Sequence, residues 1–436
     1  MYHYIPYDKI YLYILRKGCP MKKFLVFILV FALLFSFSGC KKDDSLDVVV
    51  ITDIHFAGRE YFDYEGYFAE SNDTNGSGKQ MKYLDDILDA FIDEMKTRKP
   101  DYILMTGDNT FDGAKESHLA LTEKLQVLVD EGITVLNIPG NHDIKSAAFI
   151  FPDGGYEETE SLTPEEYREV YSNFGYTGGI SYDESSLSYV YDTGKGVRFF
   201  MIDTNATYGL LYGEIIKDKY EWLEKELSAC IEAGDVPIVA GHHNLLEHNP
   251  MFNFGYMLNN AADVAELLTK YGTTLYLSGH MHTQHIAQNE NITDIVGGGF
   301  SVYPHRYGTI NFTKDGWTYE SKTTDVAAYA EKIGNTDENL LNYPDYGYAF
   351  FYNNAYNQGL GALSAVVTDT ELLEKYADFS AKLNVAYFGG VFSDLDLSIS
   401  EQFIKDTAET RWGFYMSYIL ADTKDNVYCQ HIYETE

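Results

Sequence analysis

The sequence predicts an α/β protein with a smaller, mostly helical C-terminal region. Short apolar runs rich in β-branched residues alternate with amphipathic helical stretches between residues 47 and 325. Clusters of Asp, Asn and His directly follow several of these runs. In residues 326–436 the alternation stops and helical patterns dominate, with no chemical motif to indicate a role. Strand–helix alternation is typical of sheets whose faces are covered by helices.

The first predicted elements are a buried strand, a long loop and two helices. Residues 48–52, VVVIT, form a continuous β-branched run, as expected for a strand buried on both faces. Residues 58–79 are rich in Gly, Asn, Asp and aromatic residues and predict a long loop, which in a compact domain is usually functional or disordered. Residues 80–98 carry an apolar helical stripe that stops before Pro100. The strand DYILM follows, and a second helix ends at Gly132.

The next elements continue the alternation. Thr163 and Glu166 form a capping box that predicts a helix start. Thr193–Gly196 predicts the turn of a hairpin. Helices are expected over about 217–233 and 261–271, each followed by a strand that ends in a polar cluster. The segments TDIVGGGFSVY and YGTINFT are then expected to be neighbouring strands, and further helices lie at about 370–385 and 399–420.

The N-terminal segment predicts export. From Met21 the chain reads MKKFLVFILVFALLFSFSGC, with two lysines before an apolar run that is shorter than the roughly 20 residues of a membrane span. Its end resembles a bacterial lipobox, which implies a signal peptide over 21–40, lipid on Cys40 and attachment to the extracytoplasmic face of the cell membrane. An ordinary signal peptide or a plain anchor helix is the alternative. Met21 is then the expected start of the protein, and residues 1–20 are a mis-assigned upstream extension.

Charge and cysteine content narrow the classes of partner. With 32 basic and 66 acidic residues the formal net charge is -34, which argues against nucleic-acid binding through general electrostatics. The same charge disfavours polyanionic substrates unless a metal supplies positive charge locally. If Cys40 is lipidated, Cys230 and Cys429 allow one disulfide at most, and spacing alone cannot establish it.

Five polar clusters follow five apolar runs, and each carries side chains that bind metals or transfer protons. Strand ends form the crevice where layered α/β folds build their sites, so these clusters are expected to meet. Glycines precede several of the side chains and permit close backbone approach. The clusters are TDIH with Asp53 and His55, TGDN with Asp108 and Asn109, PGNHD with Asn141, His142 and Asp143, AGHHN with His242 and His243, and SGHMH with His280 and His282.

The composition of these clusters indicates divalent metal ions. Carboxylates and imidazoles together suit zinc, manganese or iron. The ligands are too many for one ion, whereas two ions about 3.5–4 Å apart that share a carboxylate would use them. In DIH and HMH the two ligands are two residues apart and would share a face of a strand. Any one cluster alone is also consistent with turn residues and hydrogen-bonded histidines.

The ordered series DxH, GD, GNHD, GH and GHxH, over roughly residues 47–320, resembles the calcineurin-like metallophosphoesterase superfamily. The resemblance implies a four-layer α/β/β/α sandwich with a dinuclear metal centre. It implies that Asp108 bridges the two metals and that His142, which is not a ligand, orients or protonates the leaving group. It further implies a first metal on Asp53, His55 and His282 and a second on Asn141, His242 and His280.

Three assignments remain open at this stage. Either His242 or His243 binds the second metal, and the family pattern favours His242. Asn109 contacts substrate, supports a ligand or has a purely structural role. His285 contacts the phosphate or lies in solvent.

The resulting hypothesis is a metal-dependent phosphoester hydrolase, either a phosphodiesterase or a phosphatase, that acts outside the cytoplasm. A metal-bridging hydroxide would attack phosphorus in line, while both metals and His142 stabilise the developing charge. A small-molecule, lipid or wall phosphoester is the expected substrate. The alternative is a catalytically silent cell-surface binding module on the same fold, although the complete ligand set argues against it.

Overall fold

In the computed structural model two β-sheets face each other and helices cover their outer surfaces. The structure describes residues 45–435, except 65, 75–77, 153 and 424–426. The predicted extension over 1–20, the signal peptide over 21–40 and the lipidation site Cys40 lie outside the described residues. Among the described residues, no helix is both long and apolar enough to cross a membrane.

The first sheet has the order β15-β14-β13-β1-β2-β3, with strands and helices numbered along the chain. The pairs β1–β2 and β2–β3 are parallel, whereas β1–β13, β13–β14 and β14–β15 are antiparallel. The parallel strands therefore end at the same edge of the sheet. The strands are β1 (Leu46–Ile51), β2 (Tyr102–Met105), β3 (Thr134–Asn137), β13 (Arg306–Thr313), β14 (Gly316–Thr323) and β15 (Gln430–Glu434).

The second sheet has the order β11-β12-β10-β9-β8-β7-β6. Its central strands β8, β9, β10 and β12 are parallel, and the predicted hairpin joins β7 to β8. A separate hairpin pairs β4 (Ala148–Ile150) with β5 (Glu157–Thr159). The strands of the second sheet are β6 (Ser181–Tyr182), β7 (Tyr189–Asp192), β8 (Val197–Met201), β9 (Val236–Ala240), β10 (Leu275–Ser278), β11 (His285–Gln288) and β12 (Thr293–Val296).

Side chains of the second sheet alternate between two cores. In β8, Phe199 and Met201 join the core between the sheets, whereas Phe200 joins the core under the outer helices. The same alternation puts Leu275 and Leu277 of β10 inside and Tyr276 outside. Successive side chains of a strand point to opposite faces, so this period of two makes a sheet that is buried on both sides.

Helices form the two outer layers, and the predicted four-layer α/β/β/α class is confirmed. On the first sheet lie α2 (Leu84–Arg98) and α3 (Lys115–Asp130), and on the second lie α5 (Lys217–Ala233) and α6 (Ala261–Lys270). The predicted capping box begins α4 (Pro164–Val170). The stretch 58–79 was expected to be a loop throughout, but it contains α1 (Tyr67–Thr74) and an antiparallel bridge from Lys79 to Val302.

The C-terminal helices pack around a core of their own that includes Leu383, Phe403 and Met416. The predicted, mostly helical character of residues 326–436 is confirmed, and the last strand, β15, returns to pair with β14. Periodicity alone did not reveal this partner, because a strand pattern does not say which strand lies beside it. The helices are α7 (Val326–Ile333), α8 (Glu338–Leu341), α9 (Tyr343–Leu363), α10 (Thr370–Gly389), α11 (Ser400–Thr407) and α12 (Arg411–Ala421).

Two further sequence expectations are settled by the fold. The segments TDIVGGGFSVY and YGTINFT are not neighbouring strands, because β12 belongs to the second sheet and β13 to the first. The chain crosses between the sheets along residues 297–305, where Phe300 N donates to the Thr52 carbonyl, 2.9 Å away. Cys230 and Cys429 are both buried and free, so they do not form a disulfide with each other.

Candidate metal centre

All the predicted ligands lie a few residues beyond the ends of parallel strands. Asp53 follows β1, Asp108 follows β2 and Asn141 follows β3, while His242 follows β9. His280 and His282 follow β10. The two sheets face each other with these ends at one side of the sandwich, and the ligand side chains meet there.

Most of the predicted ligands have left-handed backbone conformations. The φ angles are 51° for Asp53, 48° for His55, 51° for Asp108, 71° for His280 and 59° for His282. Such angles are uncommon for residues with a Cβ, and they are maintained at functional sites where the surroundings fix them. The strand therefore turns sharply at each ligand and directs its side chain into the crevice.

One set of side chains converges on a single point. The ligand atoms of Asp53, His55, Asp108 and His282 all lie within 4.8 Å of one another. Nε2 of His55 is 3.1 Å from Nε2 of His282, which in turn is 3.3 Å from Oδ1 of Asp53. Two imidazole nitrogens brought together beside two buried carboxylates form a donor set that suits a divalent cation.

A second set shares the carboxylate of Asp108. The ligand atoms of Asp108, His242 and His280 also lie within 4.8 Å of one another. Nε2 of His242 is 3.4 Å from Oδ2 of Asp108 and 3.2 Å from Oδ1 of Asn141. Asn141 therefore completes the set from the third loop, as the resemblance implies. The metal-binding role of both sets stays a prediction, which this arrangement favours.

Backbone carbonyls fix the tautomers of two histidines in the second set. A carbonyl only accepts, so Nδ1 of His242 must donate to the Thr106 carbonyl, 2.9 Å away, and Nε2 of His280 to the Gly255 carbonyl, 2.9 Å away. The opposite ring nitrogens, Nε2 of His242 and Nδ1 of His280, are the ones left to face the ligand set. This is the usual way in which proteins orient imidazole ligands toward a metal.

Two glycines allow the carboxylates to approach the backbone. A Cβ at Gly140 would lie 2.2 Å from Oδ1 of Asp108, and a Cβ at Gly279 would lie 2.7 Å from Oδ2 of Asp53. Both distances are far below van der Waals contact. The glycines of GNHD and GHMH are therefore required by packing around the two acids.

Charge in the crevice is balanced between Asp108 and its histidines. Burial opposes ionisation of Asp108, but His242 and His142 outweigh it and hold the pKa of the carboxyl well below its usual range. Burial also opposes protonation of His242, yet Asp108 raises the pKa of that imidazole to about 9. The crevice therefore keeps Asp108 ionised, and the ionised form is the one in which a carboxylate binds a metal.

The structure distinguishes the roles of His242 and His243. Both ring nitrogens of His243 are bound by protein: Nδ1 accepts from the Thr204 hydroxyl at 2.8 Å, and Nε2 donates to the Leu211 carbonyl at 3.0 Å. Burial, followed by repulsion from His242, lowers the pKa of His243 to about 3. His243 is thus a neutral supporting residue behind the site, and His242 is the candidate ligand.

Asn109 also supports the site from behind. Its side-chain amide donates to Oδ2 of Asp143 at 2.9 Å and to the Ile138 carbonyl at 3.1 Å. Asp143 in turn accepts from the backbone amides of Asn109, Thr110 and Gly140. This network ties the GDN loop to the GNHD loop. The structural alternative for Asn109 is therefore favoured over contact with substrate.

His142 lies at the edge of the crevice and is partly exposed. Its backbone amide donates to Oδ1 of Asp108 at 2.8 Å, and its Nδ1 donates to the Phe111 carbonyl at 3.0 Å. Its ring is edge-on to His55, with centroids 5.0 Å apart. Because Nδ1 is occupied, Nε2 is the nitrogen that remains for a substrate.

His285 does not have either of the roles expected for it. It is buried at the start of β11, stacks on Tyr428 with ring centroids 3.9 Å apart, and pairs with Asp422. Its Nδ1 is 3.0 Å from Nδ1 of His248. His285 therefore faces the C-terminal region rather than solvent or the metal centre, and local sequence could not show this.

Sequence reasoning missed Lys79. Its side chain lines a cavity together with His280 and His282. Burial lowers the pKa of Lys79, and the carboxylates of Asp108 and Asp53 oppose this change. The signal was its position at the end of the 58–79 segment, a long loop of the kind that is often functional.

Comparison with known families identifies the family of the chain. Residues 46–284 match the family described as calcineurin-like phosphoesterase, and this match covers more than half of the chain. Residues 325–426 match the family described as the C-terminal domain of cyclic nucleotide phosphodiesterase. The chain therefore belongs to the calcineurin-like phosphoesterase family and is a phosphoester hydrolase.

Several solved structures resemble the chain. A dimetal phosphatase from Danio rerio is 13% identical over 64% of this chain and 96% of its own, with a TM-score of 0.47. GAP50, the anchor in the inner membrane complex of Plasmodium, is 15% identical over 64% and 85%, with a TM-score of 0.39. A 5'-nucleotidase-like protein from Staphylococcus aureus is 14% identical over 62% and 51%, with a TM-score of 0.36. No curated protein sequence matches the chain.

Proposed function

We propose that the chain is a two-metal phosphodiesterase that acts outside the cytoplasm. The observation that carries this proposal is the position of Asp108, whose carboxylate belongs to both convergent ligand sets. One site would be held by Asp53, His55 and His282, and the other by Asn141, His242 and His280. A shared carboxylate between two groups of imidazoles is the arrangement that two adjacent divalent ions require. Manganese, zinc and iron all suit these ligands.

Two ions held there would activate a water molecule and neutralise the charge of the phosphoryl oxygens. The chain supplies the remaining functions. His142, whose Nδ1–H donates to the Phe111 carbonyl, directs Nε2 toward the substrate and, as the imidazolium, would donate the Nε2 proton to the leaving oxygen. Lys79 adds a positive charge at the mouth of the crevice, where it would bind a non-bridging phosphoryl oxygen.

The C-terminal region supports a phosphodiester, and specifically a cyclic nucleotide, as the substrate class. Residues 325–426 match a domain that accompanies cyclic nucleotide phosphodiesterases. In this chain the same region meets the catalytic sandwich beside the crevice, because Tyr387, Phe388 and Tyr415 share a cavity with His280 and His282. A region in this position is able to select among phosphoesters.

The place of action that we propose follows from the N-terminal sequence. The FSFSGC motif supports lipidation at Cys40 and attachment to the extracytoplasmic face of a bacterial membrane. We expect Cys40→Ala to lose incorporation of a labelled fatty acid and to move from the membrane fraction to the soluble fraction. Retention in the membrane fraction would favour a plain anchor helix instead.

The decisive experiment measures metal content and hydrolysis in the same preparations. Purified residues 41–436, loaded with Mn²⁺ or Zn²⁺, should bind about two ions per chain and hydrolyse an aryl phosphodiester. Asp108→Asn should lose both properties, because it removes the charge that the two ligand sets share. Asp112→Asn is the matched control, since Asp112 lies in the same loop but pairs with Lys145.

Two outcomes would overturn the proposal. Hydrolysis that survives Asp108→Asn in purified protein would place the chemistry elsewhere. Fewer than one ion per wild-type chain, with no hydrolysis of any phosphoester in a panel, would favour a silent binding module on the same fold.

A further inference from the structure

A cavity opens directly beside the candidate metal centre and is lined largely by aromatic rings. Its volume is about 250 Å³, and His280 and His282 form part of its wall. Phe252 and Tyr256 line it from the catalytic sandwich, while Phe388 and Tyr415 line it from α10 and α12. All four rings are only partly buried. The metal centre and the aromatic cavity are therefore continuous.

The rings form an unbroken series from the metal centre to the C-terminal helices. The Tyr256 ring lies 4.9 Å from that of His280, and the Phe252 ring lies 5.0 Å from that of Tyr256. Phe252 is in turn 5.6 Å from Tyr415 on α12. These are the separations of packed aromatic pairs. Helices outside the catalytic sandwich thus complete a wall that begins at a candidate ligand.

We propose that this cavity is the subsite for the nucleobase of the substrate. Aromatic side chains bind planar bases by stacking. Stacking depends little on which base is bound, because every base has a π-face. The volume is below the roughly 300–1,000 Å³ of pockets for drug-sized ligands, so it suits one planar ring system. Lys79 lies on the same wall and complements the phosphate of the same molecule. The inference rests on the proposed phosphodiesterase function and assigns the base-recognising surface of that site.

A larger cavity does not compete for this role. It has a volume of about 750 Å³ and lies between β13 and α10, where Arg306 and Lys382 contribute to its wall. No candidate metal ligand lines it. Size alone would favour this cavity, but a substrate bound there could not place its phosphorus at the metal centre.

Adenosine is the probe that tests the subsite, because it carries a base but no phosphate to be hydrolysed. Calorimetric titration of the metal-loaded chain should detect adenosine binding but no ribose binding. Phe252→Leu and Tyr415→Leu should each raise the Kd of adenosine roughly tenfold, since one stacking partner is lost. Phe414→Leu is the matched control: Phe414 neighbours Tyr415 on α12, is 48% exposed and should leave the Kd unchanged.

A further variant separates stacking from folding. The Tyr415 hydroxyl donates to Asn384 at 2.8 Å, so Tyr415→Phe loses this bond but keeps the ring, and it should retain adenosine binding. A Kd that is unchanged in both leucine variants, or no binding to wild type, would overturn the inference. Adenosine binding by a wild-type chain that hydrolyses no phosphodiester would instead contradict the proposed function and leave the subsite standing.

Discussion

Nε2 of His242 lies 3.4 Å from Oδ2 of Asp108, whereas both ring nitrogens of the adjacent His243 bind Thr204 and Leu211, which lie outside the two ligand sets. We therefore expect His242→Ala to lose about one metal ion per chain and to lower kcat by at least about 100-fold. His243→Gln should keep its metal and lose thermal stability instead. Metal analysis and thermal unfolding of the two variants check this, and the reverse pattern would make His243 the ligand.

His142 should contribute more to substrates with poor leaving groups. If its Nε2 protonates the leaving oxygen, His142→Asn should lower kcat by about 10²–10⁴ for an alkyl phosphodiester and by much less for a 4-nitrophenyl diester, whose leaving group needs no proton. Metal content should stay at the wild-type value, because His142 is not in either ligand set. An equal loss for both substrates would show that His142 does not act as an acid.

Lys79 should affect binding more than turnover. Lys79→Met keeps the aliphatic stem and removes the charge, so the KM for a phosphodiester should rise about tenfold, the effect of losing one charge-assisted hydrogen bond. Lys79→Arg keeps the positive charge, so its KM should stay close to that of wild type. Steady-state kinetics at two salt concentrations measure these KM values. An unchanged KM in Lys79→Met would show that Lys79 does not bind the substrate.

Gly140→Ala should damage the metal centre although the change adds only a methyl group. The new Cβ would lie 2.2 Å from Oδ1 of Asp108, so the carboxylate or the loop must move. Overpacking of this kind costs about 1–3 kcal/mol. We expect lower stability and weaker metal binding. Gly155→Ala, where a Cβ meets nothing within 4 Å, is the control, and equal behaviour of the two variants would contradict the geometry.

Stability should fall in mild acid because of His305. Nδ1 of His305 donates to the Phe300 carbonyl and Nε2 accepts from the Tyr343 hydroxyl, so the folded protein holds the neutral ring. Burial lowers its pKa to about 4, from 6.5 in the unfolded chain. Between pH 6.5 and 4 the unfolded state binds more protons, so this contribution to stability is complete above pH 6.5 and is lost as the pH falls to 4.

The variant His305→Asn tests this dependence, because Asn tolerates the φ of 58° at this position. Its free energy of unfolding should depend less on pH than that of wild type, by up to about 1.4 kcal/mol per pH unit in that window. Denaturant titrations at pH 7, 5.5 and 4.5 measure the two slopes. Equal slopes would contradict a neutral buried His305.

The sequence predicted the elements well and the long-range contacts poorly. Asp53, Asp108 and His280 could be placed at strand ends because an apolar run followed by a glycine or polar turn is a local pattern. The pairing of β15 with β14 and the separation of β12 from β13 could not be predicted, because strand periodicity does not specify a partner. Lys79 was missed, and the roles expected for His285 were wrong, for a similar reason. The surroundings of each residue come from segments that are distant along the chain.

The strand order also determines how much of the chain the candidate metal centre needs. β1, which carries Asp53 and His55 at its end, lies between β2 and β13 in the first sheet. A nascent chain that has not yet extended past Thr313 leaves one edge of β1 without its neighbour, and a chain shorter than 282 residues lacks the last ligand. If the two ligand sets bind metal as proposed, fragments that end before β13 should therefore lack a high-affinity site.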